Sequence, residues 1–292
     1  MRTRRPARNP APASASEHPA SAPIARRVRH ALSQPGLHAY EATYDPCARL
    51  PEHGHTRPFF TYVLWGSYVE TAGQRARQCG RGAVIFHDHE SHTNEVGPAG
   101  TASFNVELDP ELWQELIGDI TSLAALSGRV LAGDLEWPAM RVWREFHRPD
   151  TASGLAMEEA IVLLCEAAQR ARIRGTFEPH QRLDTCLAYL DAHPLVPHRL
   201  AEVARVAGIH PMYLAKLFRR RFGCSMGEHL RRRRVAWACD RLARTDATIT
   251  SIAHDAGFSD HAHFTRTFVR LAGFTPRWYR AQVSPESAPF IT

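Results

Sequence analysis

Two clusters of histidine in the first third of the chain are the residues that could do chemistry. His53-Gly54-His55 offers two imidazoles, and residues 87–92 (HDHESH) offer three more beside two carboxylates. Imidazole and carboxylate groups are common ligands of zinc and other transition metals. A metal ion could therefore bind to His53, His55 and His92, with His87 or His89 as substitutes for His92. The alternative is that these histidines line a pocket or lie on the surface, and we expect no bound metal or other cofactor.

Other catalytic signatures are missing from the sequence. A phosphate-cradling GxxxxGK[ST] loop, a GxSxG elbow and an HExxH motif do not occur. The six cysteines form no CxxC pair, so we expect neither a zinc finger nor a disulfide framework, and we predict a reducing, cytoplasmic location. The chain has no run of about 18 apolar residues, so no membrane partner is expected. These features favour a protein that is not an enzyme.

Charge divides the chain into two unlike parts. Residues 31–196 contain 13 arginines and 22 acidic residues, a net charge of −9. Residues 197–283 contain 16 basic and 6 acidic residues, a net charge of +10. A basic segment of this kind is typical of a protein that binds a polyanion, and the alternative is a solvated basic surface. The sequence motifs of the basic part must decide between these two interpretations.

The acidic part begins with patterns that are typical of β-strands. Residues 59–65, 83–86 and 102–108 are apolar or alternating runs bounded by Gly, Pro and Asp. Their spacing predicts an antiparallel β-barrel or sandwich. Residues 1–35, by contrast, are rich in Pro, Ala, Ser and Arg without apolar periodicity, so we expect a disordered tail there.

After this predicted sheet the pattern changes to that of helices. Apolar residues recur at i, i+3, i+4 and i+7 over residues 111–126, 137–146 and 155–174. The last of these helices either covers the barrel or forms a dimer contact. Gly175 is expected to end it, and the residues up to Pro179 are a candidate linker.

The basic part contains an internal repeat. Residues 200–209 (LAEVARVAGI) and 249–258 (ITSIAHDAGF) share an Ala four residues before a Gly and a large apolar residue directly after it. A second predicted helix follows each copy, over residues 211–221 and 260–271. The repeat therefore consists of two short helices joined by a tight turn.

The spacing within each copy has a physical reason. Two helices that cross steeply need a small residue at their closest approach, which Ala204 and Ala253 provide. The turn needs a residue that tolerates a positive φ, which Gly208 and Gly257 provide. Pro211 suits the first turn of the second helix in one copy, and Ser259 is expected to cap it in the other. Each copy is thus a helix-turn-helix.

Two such motifs, 49 residues apart in a basic region, favour DNA binding over a generic helical bundle. A single helix predicted over residues 226–244 joins them, and its length is about 28 Å at 1.5 Å per residue. With the flanking turns it could place the recognition helices about one DNA turn (~34 Å) apart, on a duplex that is somewhat bent.

Residues 180–283 resemble the DNA-binding domain of the AraC/XylS family of transcription regulators. The resemblance rests on residues 253–268 (AHDAGFSDHAHFTRTF) and 273–280 (GFTPRWYR), which are similar to that family's signature. Family members of this length usually carry an N-terminal cupin-like sensing domain, which agrees with the predicted strands. One departure from a metal-binding cupin is that Phe59 and Phe60 stand where such a protein favours Glu.

The resemblance also implies positions that contact DNA. The implied base-reading residues are Met212, Ala215 and Lys216 in the first motif and His261, Ala262, Thr265 and Arg266 in the second. Among them, Lys216 and Arg266 can donate to guanine, and Thr265 can contact a thymine methyl. The residues expected to hold phosphates are Arg219, Arg220, Arg231, Arg232 and Arg277. For the arginine run 231–234, a solvated face is the alternative.

The sequence therefore predicts an α+β protein. A cupin-like β-barrel with covering helices is expected over residues 36–175, an all-α domain with two helix-turn-helix motifs over 180–283, and a flexible tail over 284–292. The predicted function is that of a bacterial, sequence-specific transcription regulator, controlled by a small-molecule effector or by homodimer formation. Its expected partners are duplex DNA and, if it is an activator, RNA polymerase. The alternatives are a metal-dependent cupin enzyme or metal sensor fused to a DNA-binding domain, and a nonspecific architectural DNA-binding protein.

Overall fold

The computed structural model describes residues 26–87, 91–117, 130–131, 135–148, 153–175, 181–193 and 195–283. The strands in this part of the chain are β1 (Arg26–Gln34), β2 (Leu37–Tyr44), β3 (Arg49–His53), β4 (Phe59–Ala72), β5 (Arg75–Gly80), β6 (Val84–His87), β7 (His92–Leu108) and β8 (Val130–Leu131). The helices of the front domain are α1 (Pro110–Ile117), α2 (Glu136–Phe146) and α3 (Ser153–Gly175). The helices of the basic part are α4 (Gln181–Ala192), α5 (Leu200–Val206), α6 (Pro211–Phe222), α7 (Met226–Arg244), α8 (Ile249–Asp255), α9 (His261–Ala272) and α10 (Pro276–Val283). Among these described helices, none is long and apolar enough to cross a bilayer.

The front domain is built on one antiparallel sheet with the order β1-β2-β7-β4-β6-β8, to which β3 adds by pairing with β7 and β5 by pairing with β4. The long central strands β4 and β7 are irregular near Gly66, where the register shifts. Gly66 has a φ of +74°, and a Cβ there would lie 2.0 Å from the Gly100 carbonyl oxygen, so only glycine fits. The irregularity lets each central strand pair with different neighbours along its two halves. The predicted antiparallel β domain is confirmed.

The two faces of the central strands differ, because successive side chains point to opposite sides of a sheet: one is apolar, and the other combines polar groups with a small apolar cluster. One face is apolar and buried beneath α2 and α3, where its residues form part of a continuous core (Phe60, Tyr62, Val84, Phe86, Phe104, Val106). The other face carries polar groups, among them a buried network in which Thr61 donates to Asn105 and Asn105 donates to Ser103. We call this second side of the sheet the inner face.

Strand β1 corrects the expectation of a disordered tail over residues 1–35. Residues 26–34 pair antiparallel with β2, from Arg26 opposite Tyr44 to Gln34 opposite Leu37. The strand is short of apolar side chains because it lies at the sheet edge, where backbone hydrogen bonds hold it and its side chains are exposed or half-buried. Residues 1–25 and 284–292, and the candidate linker after Gly175, lie outside the described residues.

The helices of the front domain agree with the apolar periodicity that predicts them. Helices α2 and α3 match the predictions over residues 137–146 and 155–174, whereas α1 is described only to Ile117. Helix α3 buries Met157, Ile161 and Leu164 in the core that includes α2 and the sheet. Of the two roles predicted for α3, the described contacts therefore support covering the sheet.

The basic part forms two helix-turn-helix units, α5–α6 and α8–α9, joined by the predicted helix α7. Ala204 and Ala253 are completely or almost completely buried, and the turn glycines Gly208 and Gly257 have φ values of +62° and +77°. One cap differs from the prediction, since Asp260 rather than Ser259 caps α9. Its carboxylate accepts the His263 N–H at 2.7 Å, which a Ser at position 259 is one residue too early to do.

The two units do not share one core. The first unit has a separate core of ten buried residues, which takes only Met226 and Leu230 from α7. The C-terminal half of α7, with Val235, Cys239 and Leu242, belongs instead to the larger core that contains the second unit and the apolar face of the sheet. The second unit is therefore packed as one body with the front domain.

Helix α2 makes the contact between these two parts. Its buried Trp143 donates its indole N–H to Glu41 of β2 and packs edge-on against Phe274, Trp278 and Tyr279. The side chains of Glu41, Trp143 and Tyr279 are almost inaccessible to water. The contact therefore joins the sheet to the α9–α10 region.

A buried ion pair lies beside this contact. Arg81, in the turn before β6, donates to Glu136 at the start of α2 at 2.9 Å, and both side chains are about 90% buried or more. Glu136 stabilises the positive charge and the hydroxyls of Tyr62 and Tyr279 lie close by, so the pKa of Arg81 stays well above its usual value although burial opposes it. The pair joins the sheet, α2 and α10 through charge as well as packing.

The two turn glycines provide a test of the second unit. A Cβ at Gly257 would lie 2.5 Å from the Leu195 carbonyl oxygen and 3.2 Å from Arg234 Cζ, whereas a Cβ at Gly208 would meet no atom within 4 Å. We expect Gly208→Ala to cost only the positive-φ penalty, about 1 kcal/mol of unfolding free energy. Gly257→Ala should cost about 2–4 kcal/mol, because displacement of its neighbours is added. Urea titration of both variants measures the difference, and equal costs would contradict the packing around Gly257.

The Arg81–Glu136 pair provides a second test. Arg81→Met should lower the unfolding free energy by about 3–5 kcal/mol, because it leaves the buried Glu136 carboxylate without its cation. The double variant Arg81→Met, Glu136→Gln should recover a large part of that loss, because no buried charge remains. Urea titration of the three proteins measures the effect. A loss below about 1 kcal/mol in the single variant would show that water reaches the pair.

Candidate nucleic-acid interface

The second helix of the first unit, α6, has one buried side and one exposed side. Leu214, Leu217 and Phe218 are buried against the unit's core. Pro211 occupies the first turn, and the His210 ring accepts the Met212 N–H at 3.3 Å, which fixes where the helix begins. The exposed residues are Met212, Tyr213, Lys216, Arg219 and Arg220, with Ala215 half-buried between them.

Helix α9 of the second unit has the same arrangement. Phe264 and Phe268 are buried, and His261, Ala262 and Arg266 are exposed. Thr265 is half-buried, and its hydroxyl oxygen is inaccessible to solvent and has no hydrogen-bond partner among the described residues. The methyl of Thr265 is thus the part of that side chain suited to an apolar contact.

The exposed sides of both helices are strongly positive. Neither α6 nor α9 contains an acidic residue, while α6 ends in Arg219, Arg220 and Arg221. The carboxylate nearest to α9 in sequence is its cap, Asp260. The His263 N–H and the Ser259 hydroxyl both donate to Asp260, which lowers the pKa of its carboxyl, so the cap is ionised at neutral pH.

The arginine run of α7 makes contacts within the protein. Arg231 donates to Glu228 at 2.9 Å, and Arg232 lies 3.7 Å from the same carboxylate. Arg270 of α9 also donates to Glu228, at 3.3 Å, so one acid holds three cations of two helices. Burial opposes ionisation of Glu228, but the hydrogen bonds from Arg231 and Arg270 outweigh it and lower the pKa of the carboxyl.

The other two residues of the run hold neighbouring elements in place. Arg233 pairs with Asp191 of α4. Arg234 donates to the Gly257 carbonyl oxygen at 2.8 Å and to the Val196 carbonyl oxygen at 3.1 Å. For Arg234, these contacts correct both sequence interpretations, since its guanidinium binds the Gly257 carbonyl of the second turn and the Val196 carbonyl before α5 rather than DNA or solvent.

Sequence reasoning missed three side chains of the candidate interface. Tyr213, His263 and Arg270 are exposed on the same sides of α6 and α9 as the predicted residues. Each lies three or four residues from a predicted contact on the same helix, and this spacing could have predicted that it shares the same side. Arg277, a predicted phosphate contact, is exposed on α10.

The structure also brings together the three predicted metal ligands from the two histidine clusters. Ligand atoms of His53, His55 and His92 lie within 4.8 Å of one another, and a second set of three is formed by Glu70, His87 and His92. His89 lies outside the described residues. Phe59 packs on the rings of His55 and His87, so it occupies the place where the sequence comparison with cupins expected a Glu.

Comparison with known proteins supports the interpretation of the basic part. A family profile described as a helix-turn-helix domain matches residues 203–282, which include both turns and helices α6 and α9. Regulatory protein SoxS of Salmonella typhimurium is 33% identical over 102 residues, which are 35% of this chain and 95% of SoxS.

Two further relatives differ in how far the similarity extends. Regulatory protein PocR of Salmonella typhimurium is 33% identical over 116 residues, but the match spans only 38% of PocR and 40% of this chain. The transcriptional activator RhaS of Escherichia coli is 25% identical over 247 residues, which are 80% of this chain and 88% of RhaS.

Fold and interface thus define a transcription regulator with a double helix-turn-helix domain. Because the match extends over almost the whole of SoxS, the chain belongs to the AraC/XylS family of transcription regulators.

The arginines around Glu228 provide a test of how α7 and α9 are held. At neutral pH, Glu228→Gln should lower the unfolding free energy by about 1 kcal/mol, because charge-assisted hydrogen bonds become neutral ones. A carboxyl with a lowered pKa stabilises the fold above its unfolded pKa and loses that contribution as the pH falls. The difference between variant and parent should therefore shrink below about pH 4.

The Glu228 test is a urea titration at a series of pH values. Asp246→Asn, at an exposed acid of the same domain, is the matched control and should stay close to the parent. A deficit in Glu228→Gln that is the same at all pH values would show that the ionised carboxylate is not what holds the arginines.

Proposed function

We propose that this protein is a sequence-specific DNA-binding regulator whose helices α6 and α9 enter successive segments of the major groove. One observation carries the proposal. The two helices are held by the same Ala and Gly turn geometry, and both expose a side that is free of acidic residues. The major groove of DNA is wide enough for one α-helix, and the phosphates along its edges attract a positively charged helix surface.

The side chains of the two helices suit different tasks. Arg266 and Lys216 are exposed and can donate to guanine O6 and N7, and His261 can donate or accept. Thr265 offers a methyl, as Ala262 does, for a thymine contact. Met212, with 72% of its surface exposed, and Ala215 can make only apolar contacts. The second unit should therefore specify more bases than the first.

The phosphate contacts should come mainly from arginines that are exposed on α6 and α10. Arg219 and Arg220 on α6 and Arg277 on α10 are exposed. Arg231 and Arg232, which we also assign to phosphates, share the carboxylate of Glu228 and should contribute less. Each neutralised phosphate adds about −0.9 to the slope of log affinity against log salt concentration.

We infer that the front domain controls DNA binding, through a small-molecule effector or a second copy of the chain. Helix α2 supports this inference, because it packs on the sheet and on the second unit at once. A small apolar cavity lies between the sheet, α2 and α3, where Tyr62, Val142 and Ile161 are among its lining residues. A regulator of this kind acts on DNA in the cytoplasm, with RNA polymerase as a partner if it is an activator, and we assign it no catalytic role.

The experiment is selection from a pool of random DNA duplexes with the full-length protein. Enrichment of a motif with two segments about one helical turn apart is the expected result. An architectural protein would enrich no sequence, and a regulator that uses only one unit would enrich a single short segment.

Substitutions at two arginines separate base reading from phosphate contact. Arg266→Ala should weaken binding to the selected site by about 1–3 kcal/mol and relax the preference at one base pair. Arg219→Ala, the matched control on α6, should weaken binding to selected and random duplexes by similar factors and reduce the salt slope by about one. Fluorescence anisotropy at several salt concentrations measures both effects. If Arg266→Ala weakens both duplexes equally, α9 holds the DNA backbone and does not read bases.

A further inference from the structure

The inner face of the sheet gathers four histidines that the DNA-binding function does not use. His53 ends β3, His55 follows it, His87 ends β6 and His92 begins β7. The ring centroids of His53 and His92 are 4.5 Å apart, those of His55 and His92 are 5.4 Å apart, and those of His87 and His92 are 4.8 Å apart. The strand register brings them together, because His53 of β3 pairs with His92 of β7, and His87 of β6 pairs with Phe59 of β4.

The nitrogen atoms of this cluster are spaced for a single ion. Ligand atoms of His53, His55 and His92 all lie within 4.8 Å of one another. Zinc binds imidazole nitrogens at 2.0–2.1 Å in a tetrahedral arrangement, so two ligand nitrogens are about 3.4 Å apart. Binding of one ion therefore requires the three rings to turn toward one another, and His92, which is buried, belongs to both candidate sets.

The surrounding groups orient these rings as outer-shell partners do in metal sites. His53 Nδ1 lies 2.8 Å from the Pro51 carbonyl oxygen, a contact that favours the tautomer with the proton on Nδ1 and Nε2 as the ligand atom. Behind the cluster the fully buried Glu70 accepts from Arg77 at 2.8 Å, and its second oxygen lies 3.6 Å from His87 Nε2. The Glu70 carboxylate also lies within 4.8 Å of a ring nitrogen of His92, so it borders the proposed ligand set, where an outer-shell carboxylate of a metal site is found.

We propose that His53, His55 and His92 bind one divalent transition-metal ion, with Zn²⁺ as the preferred ion. Glu70 and His87 lie directly behind the three ligands, and Glu70 positions the site. Imidazole nitrogens favour Zn²⁺ over Mg²⁺ and Ca²⁺, which take oxygen ligands. The proposal does not depend on DNA binding, because the cluster lies in the front domain and contains no residue of α6 or α9.

The test uses the full-length protein after removal of metal with a chelator. Titration with Zn²⁺ against a chromophoric competitor should show one tight site per chain, and Mg²⁺ should not compete for it. His55→Ala, at a half-buried ligand, should weaken Zn²⁺ binding at least about 100-fold, more than the loss of an outer-shell partner. His254→Ala is the matched control, because this histidine is 89% exposed on α8 and far from the cluster in sequence, and it should bind as the parent does.

Two further measurements guard against a variant that fails to fold. Glu70→Gln keeps the shape of the side chain and should weaken Zn²⁺ binding about 10- to 100-fold through the outer shell. Co²⁺ in place of Zn²⁺ should produce the visible absorption of a tetrahedral site in the parent, and His55→Ala should lose it. Absence of a tight site in the parent, or equal Zn²⁺ affinity in His55→Ala and the parent, would overturn the proposal. If the protein still binds its selected DNA sequence in either case, the proposed function remains supported although the metal site is rejected.

Discussion

The position of the second recognition helix depends on Trp143. Its indole ring is completely buried between the sheet and the aromatic side chains of Phe274, Trp278 and Tyr279, and its N–H is held by Glu41. An aromatic side chain that packs on two parts at once aligns them to the precision of core packing. Because α9 and α10 are aligned in this way to the front domain, a change in the packing of α2 on the sheet should also shift the position of α9.

Net charge alone overstates how much of the basic part faces DNA. In the run 231–234, Arg231 and Arg232 share the carboxylate of Glu228. Arg233 pairs with Asp191, and Arg234 donates to the backbone carbonyl of the second turn. These contacts hold α4, α7 and α9 in place. Part of the basic composition therefore serves the architecture of the double helix-turn-helix itself.

The sequence predicts most of this fold because its local signals agree with the tertiary structure. Ala204, Ala253, Gly208 and Gly257 define both turns, and apolar periodicity places α2, α3 and α7. Strand β1 could not be predicted in the same way, since an edge strand is held by backbone pairing with β2 rather than by an apolar pattern. The role of Arg234 also escaped prediction, because its carbonyl partners are distant in sequence and only helix packing brings them together. Glu70 escaped because its contacts with Arg77 and His87 depend on the register of the strands around β4.

The separate core of the first helix-turn-helix has a consequence for its dynamics. Among the described residues, that core contains ten buried ones, including Leu214 and Phe218 of α6, whereas α9 is anchored in the large core shared with the sheet. Units with few buried apolar contacts open at lower free energy than the molecule as a whole. The amide hydrogens of α6 should accordingly exchange with solvent before those of α9. In the DNA complex that we propose, the first unit would therefore release and rebind its groove segment more readily than the second.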